Sequence, residues 1–200
     1  EFFTTKELVE CFDISRVGKT GAAFSMQKLE WMNGAYIRGL SPDELATRAI
    51  PFMQQAGILP PSPSTIEIQR LRAVIPLVHE RVKRLDEMAD MTGFFFHEPA
   101  DYDPHSLIGK GMDREKTVDA LKNALAAVEN APGFDTASLE SIIRPLIENL
   151  GLTAGQLFGA IRVAVTGRTV APPLFETMAV LGREVCATRL KVALEKLAGV

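Results

Sequence analysis

The chain has 200 residues, 46% hydrophobic and 24% charged, which is the composition of an ordinary folded protein able to bury roughly 70% of its unfolded surface. A formal net charge of −3 excludes a global basic field, so any nucleic-acid contact must come from local arginines. Cys11 and Cys186 lie far apart with no further ligand pattern, as reduced thiols of a cytoplasmic protein do, and no secretory segment or apolar run of roughly 18 residues supports export or membrane readings.

Thr4 with Glu7 forms a capping box that opens a short helix. Phe12 to Phe24 then reads as a loop rich in glycine and small residues. Gly18-Lys19-Thr20 invites a phosphate-loop reading, but Asp13 stands where the first glycine of that motif would fall and no strand leads in, so nucleotide binding is rejected. Arg16 and Lys19 remain as phosphate contacts or as solvated loop cations. Ser25 caps the next helix, where Leu29, Met32 and Tyr36 repeat at helical spacing beside Trp31 and Gly39 supplies the stop. Ser41-Pro42-Asp43-Glu44 combines an N-cap, a first-turn proline and a capping-box glutamate, and this helix ends near Gly57 ahead of Pro60, Pro61 and Pro63. Ser64 and Glu67 form another capping box. Leu71, Ile75, Val78, Val82 and Leu85 then draw one apolar stripe along a long helical segment that Pro76 kinks or divides. Arg70, Arg72, Arg81, Lys83 and Arg84 make this the most basic part of the chain, a pattern that usually marks a solvated helix face.

Met88 to Tyr102 reads as a hinge between two helical bodies, with Phe94-Phe95-Phe96 plugging the junction and turn residues following as far as Pro104. Asp113 starts a helix with the stripe Val118, Leu121, Leu125 and Val128, ending at Pro132-Gly133. The next helix carries Leu139, Ile142, Ile143, Leu146, Ile147 and Leu150, bent at Pro145. The stretch Gly159 to Glu184 organises the rest. Arg162 and Arg168 bracket β-branched residues, Gly167 permits a tight turn, and Pro172-Pro173 fix where a helix begins at Leu174. Two readings stay open: a connector with solvated arginines, or a platform beside a helix N-terminus that receives an anion or a splayed base. The last helices, from Leu174 to Leu181 and from Arg183 to Leu197, part at Gly182. No period-two pattern is sustained, so the fold class is all-α, with helices in two layers. His79, His97 and His105 are too scattered for a metal site, and no serine or cysteine has a base in motif form, so no catalytic constellation is legible.

KLEWMNGAYIR, FFFHEPADYD and IRVAVTGRTVAPPLFETMAVLGRE together resemble the C-terminal half of bacterial-type glutamyl-tRNA synthetase, and the likeness runs in order along essentially all 200 residues. The HIGH-like and KMSKS-like signatures of that family are absent from this chain. The resemblance therefore implies an anticodon-binding piece, excised upstream of Glu1 and not catalytic alone, with ATP and magnesium belonging to a catalytic domain and no cofactor here. It implies a helical cage in which residues 1–40 end the stem-contact region and residues 41–100 and 101–200 form two anticodon-binding subdomains. The implied partner is the glutamate-accepting tRNA, with neither DNA nor membrane, bound by a monomeric cytoplasmic protein. The family pattern places Arg81 at the arginine that reads the third anticodon base, and Arg162, Ala171, Pro172, Leu174 and Phe175 among the anticodon contacts. Arg168, the other arginine of the stretch, joins them as an RNA-binding candidate. The chemistry agrees, because a cytosine offers two acceptors to an arginine fork that only donates. Arginine rather than glutamine at position 81 implies discrimination between glutamate and glutamine tRNAs. The competing reading is a helical protein-interaction scaffold without RNA binding, which the net charge suits slightly better; no constant-period repeat supports a solenoid.

Overall fold

A computed structural model describes residues 2–18, 21, 23–99 and 101–199, and every regular element among them is helical. Lys19, offered above as a phosphate contact, lies outside the described residues. The helices are α1 Thr5–Cys11, α2 Met26–Arg38, α3 Pro42–Gln55, α4 Thr65–Val78, α5 Glu87–Thr92 and α6 Arg114–Glu129, then α7 Thr136–Ile143, α8 Leu146–Asn149, α9 Ala154–Thr166, α10 Leu174–Leu181 and α11 Arg183–Ala198. Short 3-10 turns occupy Ile14–Arg16, Gly93–Phe95 and Pro104–Leu107.

Local chemistry sets most boundaries. Thr4, Ser41, Ser64 and Thr153 each accept a hydrogen bond from the N–H three residues on, while Glu7, Glu44, Glu67 and Gln156 accept one from the cap N–H in return. The cap N–H, and after it the cap hydroxyl, holds the carboxyls of Glu7, Glu44 and Glu67 below the usual glutamate range. Pro145 does more than bend a helix: α7 stops at Ile143 and α8 starts at Leu146. Pro76 sits inside α4, which survives it by only two residues. The stripe expected to continue along one helix to Leu85 is therefore broken. Val82 is still fully buried, but from a loop, because Glu87 accepts hydrogen bonds from the Lys83 and Arg84 N–H groups and turns the chain there. The hinge expected at Met88 to Tyr102 likewise starts with a helix, α5.

Two buried clusters form the core. Leu45, Met53, Leu71, Ile75, Val78 and Met88 anchor the first, under α3, α4 and α5. Leu107, Leu121, Leu139, Leu157, Ile161, Met178 and Leu190 anchor the second, under the elements from Pro104 onward. The aromatic run joins them: Phe94 and Phe95 belong to the second cluster, with ring centroids 4.3 Å apart, and Phe96 packs against both. The N-terminal end differs. α1 buries no residue, and α2 buries Gly34 and Ile37, while Leu29 and Tyr36 of the expected stripe stay exposed with Trp31 beside them and Met32 is half-buried. Phe2 covers part of that face, its ring lying 5.3 Å from Trp31 and 5.5 Å from Tyr36.

Candidate nucleic-acid interface

The sequence candidates fall on two elements that the fold brings together. Arg81 lies in the loop between α4 and α5, not on a helix face as its basic surroundings suggested. That loop is held from several sides: the Arg81 N–H donates to the Val78 carbonyl at 2.8 Å, Asn33 Nδ2 donates to the Lys83 carbonyl at 2.5 Å, and His79 Nε2 lies 3.0 Å from the Ile37 carbonyl. Arg81 remains exposed, and its Nη1 donates to the carbonyl of Ala171 at 2.9 Å, across 90 residues of sequence. One of its five guanidinium hydrogens is used there, which leaves the rest for a ligand. Much of the neighbouring positive charge is already engaged. Arg70 donates to the Phe95 carbonyl at 3.2 Å, Arg72 pairs with Asp43 at 3.1 Å, and Arg84 pairs with Asp86.

The opposite side is the α9–α10 connection. The β-branched residues Val163, Val165 and Thr166 belong to the last turn of α9, which Gly167 ends in the left-handed conformation at φ 70°. Arg162 is half-buried on that turn, and its side chain makes no hydrogen bond or ion pair with a described residue. Arg168 is committed instead: its guanidinium engages both carboxylate oxygens of Asp90. Ala171 is half-exposed, whereas Pro172 is buried and Leu174 and Phe175 are only 6% and 8% exposed. Leu174 and Phe175 face the second core cluster, and the Phe175 ring meets Phe158 edge-on at 5.2 Å. The side chains of those two residues are thus withdrawn into the core. α10 begins after Pro173 with no side-chain cap, so no side chain satisfies its first-turn N–H groups at the positive end of the helix dipole.

Phe158 and Arg144 went unnoticed in the sequence. The Arg144 guanidinium lies over the Phe158 ring at 5.9 Å, and Phe158 stands one helical turn before Arg162 on α9. The i,i+4 spacing of Phe158 and Arg162 was the available signal. A recess of about 420 Å³ beside Arg168 is lined by Asp90, Glu98 and Asp101, which pair with Arg168, Arg189 and Lys196 in turn. The histidines serve as hydrogen-bond partners, and no group of His, Cys, Asp and Glu among the described residues has metal-binding geometry. No helix among the described residues is long and apolar enough to cross a membrane.

Fold and surface together describe an all-helical recognition module. The chain belongs to the anticodon binding domain family, whose sequence profile matches residues 44–194. A glutamate–tRNA ligase from Dehalococcoides mccartyi is 46% identical over 197 residues, a match covering 98% of this chain and 40% of that protein. The Herpetosiphon aurantiacus glutamate–tRNA ligase is 39% identical over 193 residues, covering 96% and 39% respectively. The chain thus spans about 40% of the length of the curated relatives it matches. Among solved structures, a glutamate tRNA ligase from Elizabethkingia meningosepticum in complex with its amino acid aligns with a TM-score of 0.77 at 23% identity, over 96% of this chain and 36% of that one. A glutamate-tRNA synthetase from Elizabethkingia anophelis aligns with a TM-score of 0.73 at 22% identity. At such identities the two structures speak for the fold alone.

Proposed function

We propose that this chain is the anticodon-reading part of a cytoplasmic glutamate–tRNA ligase, and that it binds the glutamate tRNA without taking a nucleotide or metal of its own. ATP-dependent attachment of glutamate then belongs to the rest of the ligase. One observation supports the reading: Arg81, with donors to spare, is held by the Ala171 carbonyl against the α9–α10 connection, which leads from Arg162 on α9 to a helix start with no side-chain cap. Unpaired bases are recognised by such a mixture of guanidinium planes, apolar surface and backbone donors. The scaffold alternative accounts for none of this placement. The division into segments 1–40, 41–100 and 101–200 is part of the same proposal.

The test is Arg81→Gln in this chain, with binding measured against tRNAs that differ only in cytosine or guanine at the third anticodon position. Arginine donates to both edge acceptors of cytosine, whereas a glutamine amide can offer a donor or an acceptor and so accommodates guanine as well. One bidentate contact is worth about 1–3 kcal/mol of discrimination, so the unaltered chain should favour cytosine by roughly tenfold to a hundredfold and the variant by far less. Equal losses for both RNAs, with a salt slope lower by about one, would make Arg81 a phosphate contact. No binding of either RNA by the unaltered chain would favour the scaffold.

A further inference from the structure

Arg168 is engaged before any ligand arrives. Its Nη1 donates to Asp90 Oδ2 at 3.0 Å and its Nη2 to Asp90 Oδ1, a two-point pair between the α9–α10 connection and α5. That hydrogen bonding holds the Asp90 carboxyl below the usual aspartate range and raises Arg168. The backbone of Arg168 is fixed as well, since its N–H donates to the Thr166 hydroxyl at 3.2 Å immediately after the left-handed turn at Gly167. Three residues further on, the Ala171 carbonyl accepts from Arg81 at 2.9 Å. Asp90 on α5 and Arg81 in the α4–α5 loop are both attached to the first core cluster, through Met88 and Val82. The connection is therefore pinned at both ends to the same side of the junction. Thr169 and Val170 form its exposed tip between the pins, with Val170 80% exposed. The charges around Arg168 agree with a local role: of the carboxylates that line the recesses beside it, Asp90 pairs with Arg168 itself, Glu98 with Arg189 and Asp101 with Lys196. A phosphate brought to Arg168 would have to displace the Asp90 carboxylate that already holds its guanidinium.

We propose that Asp90 and Arg168 are positioning residues: their ion pair holds the α9–α10 connection so that Ala171 meets Arg81, and Arg168 itself contacts no RNA. The proposal rests on the tRNA-binding reading above, and it gives the two arginines of the stretch different tasks. Arg162 faces the ligand; Arg168 acts through Asp90.

Asp90→Asn, Arg168→Met and the charge-reversed double variant Asp90→Arg/Arg168→Asp decide the matter in the 200-residue chain. Two quantities are read: affinity for a transcribed glutamate tRNA over a salt series, and amide hydrogen exchange of residues 167–171 without RNA. Each single variant is expected to weaken binding about threefold to fivefold, a modest loss because the pair is partly exposed. Each should also speed exchange in the connection and leave the salt slope unchanged, and the reversed pair should restore both quantities. Tighter binding by Asp90→Asn would overturn the proposal, because Asp90 would then compete with RNA for Arg168. A salt slope lower by about one in Arg168→Met, with no rescue by the reversed pair, would overturn it too, as the mark of a direct phosphate contact. Exchange that stays slow in both single variants removes the pin whether or not tRNA binds. Faster exchange in the single variants of a chain that binds no tRNA leaves the pin standing and removes the tRNA-binding reading alone.

Discussion

Arg189 offers the sharpest test of how the two core clusters are joined. It lies in the middle of α11, is 5% exposed, and its guanidinium reaches three carbonyls on two separate backbone segments. Nη1 donates to the Val165 carbonyl at 2.7 Å, Nη2 to the Phe94 and His97 carbonyls at 2.9 and 3.0 Å, and Nε to Glu98 Oε2 at 3.3 Å. Burial lowers its pKa and Glu98 opposes that, but arginine starts so far above neutrality that the group stays charged. Methionine in its place fills much of the stem volume and strands three carbonyls. Each stranded acceptor costs about 1 kcal/mol or more, partly offset because a buried charge no longer has to be desolvated. A net loss of about 2–4 kcal/mol is the expected outcome for Arg189→Met. For a chain of this size that corresponds to a melting temperature lower by roughly 5–12 °C, read by circular dichroism. Arg189→Lys, which keeps the charge but loses the fork, should fall in between. Glu98→Gln should cost less than about 1 kcal/mol, because the glutamate is exposed and the pair is screened. A methionine variant melting within about 2 °C of the unaltered chain would refute the clamp. Glu98→Gln costing as much as Arg189→Met would refute it as well, since the ion pair rather than the carbonyls would then hold the junction.

Leu157→Ala removes a side chain of α9 that is fully buried in the second cluster, and urea unfolding should report a loss of about 2–5 kcal/mol, with a loss under about 1 kcal/mol contradicting the packing described. Burial pushes the Cys186 thiol up to about 12, with Arg189 only partly opposing. A thiol reagent at mildly alkaline pH should therefore label exposed Cys11 and spare Cys186 until the chain unfolds; equal labelling rates in the folded chain would contradict that burial.

The parts of the fold legible in the sequence are those fixed by neighbours along the chain. A hydroxyl and a glutamate three residues apart can satisfy each other without any tertiary help, so the starts of α1, α3 and α4 were readable, as was the turn at Gly167, while Pro145 was read as a bend where the helix in fact breaks. The misreadings share another cause. The apolar stripe from Leu71 to Leu85 is real as a pattern of burial, since Val82 is as buried as Val78, yet periodicity alone does not distinguish a continuing helix from a loop whose side chain returns to the core. Pro76 was the warning, and the Glu87 carboxylate completes the turn from further along the chain. On α2 the spacing of Leu29, Met32 and Tyr36 was helical, as expected, but spacing does not say that a partner surface exists. In this chain that face carries exposed aromatics instead.

The candidate surface was legible as a set of residue types and not as an arrangement. Arg162, Arg168 and Arg189 lie within one C-terminal stretch of the chain, and nothing in the local patterns separates them. Their fates are set by what other segments bring within reach. Arg189 meets the Phe94 and His97 carbonyls and becomes a buried clamp, Arg168 meets Asp90 across 78 residues and becomes a partner in an ion pair, and Arg162 meets neither and keeps its donors. The same logic explains Leu174 and Phe175. Two apolar residues directly after a proline pair look like a stacking surface, but burying them in the second cluster is what fixes the first turn of α10. An alanine at either position should therefore lower stability before it changes base preference, whereas Arg81→Gln should change base preference while stability holds.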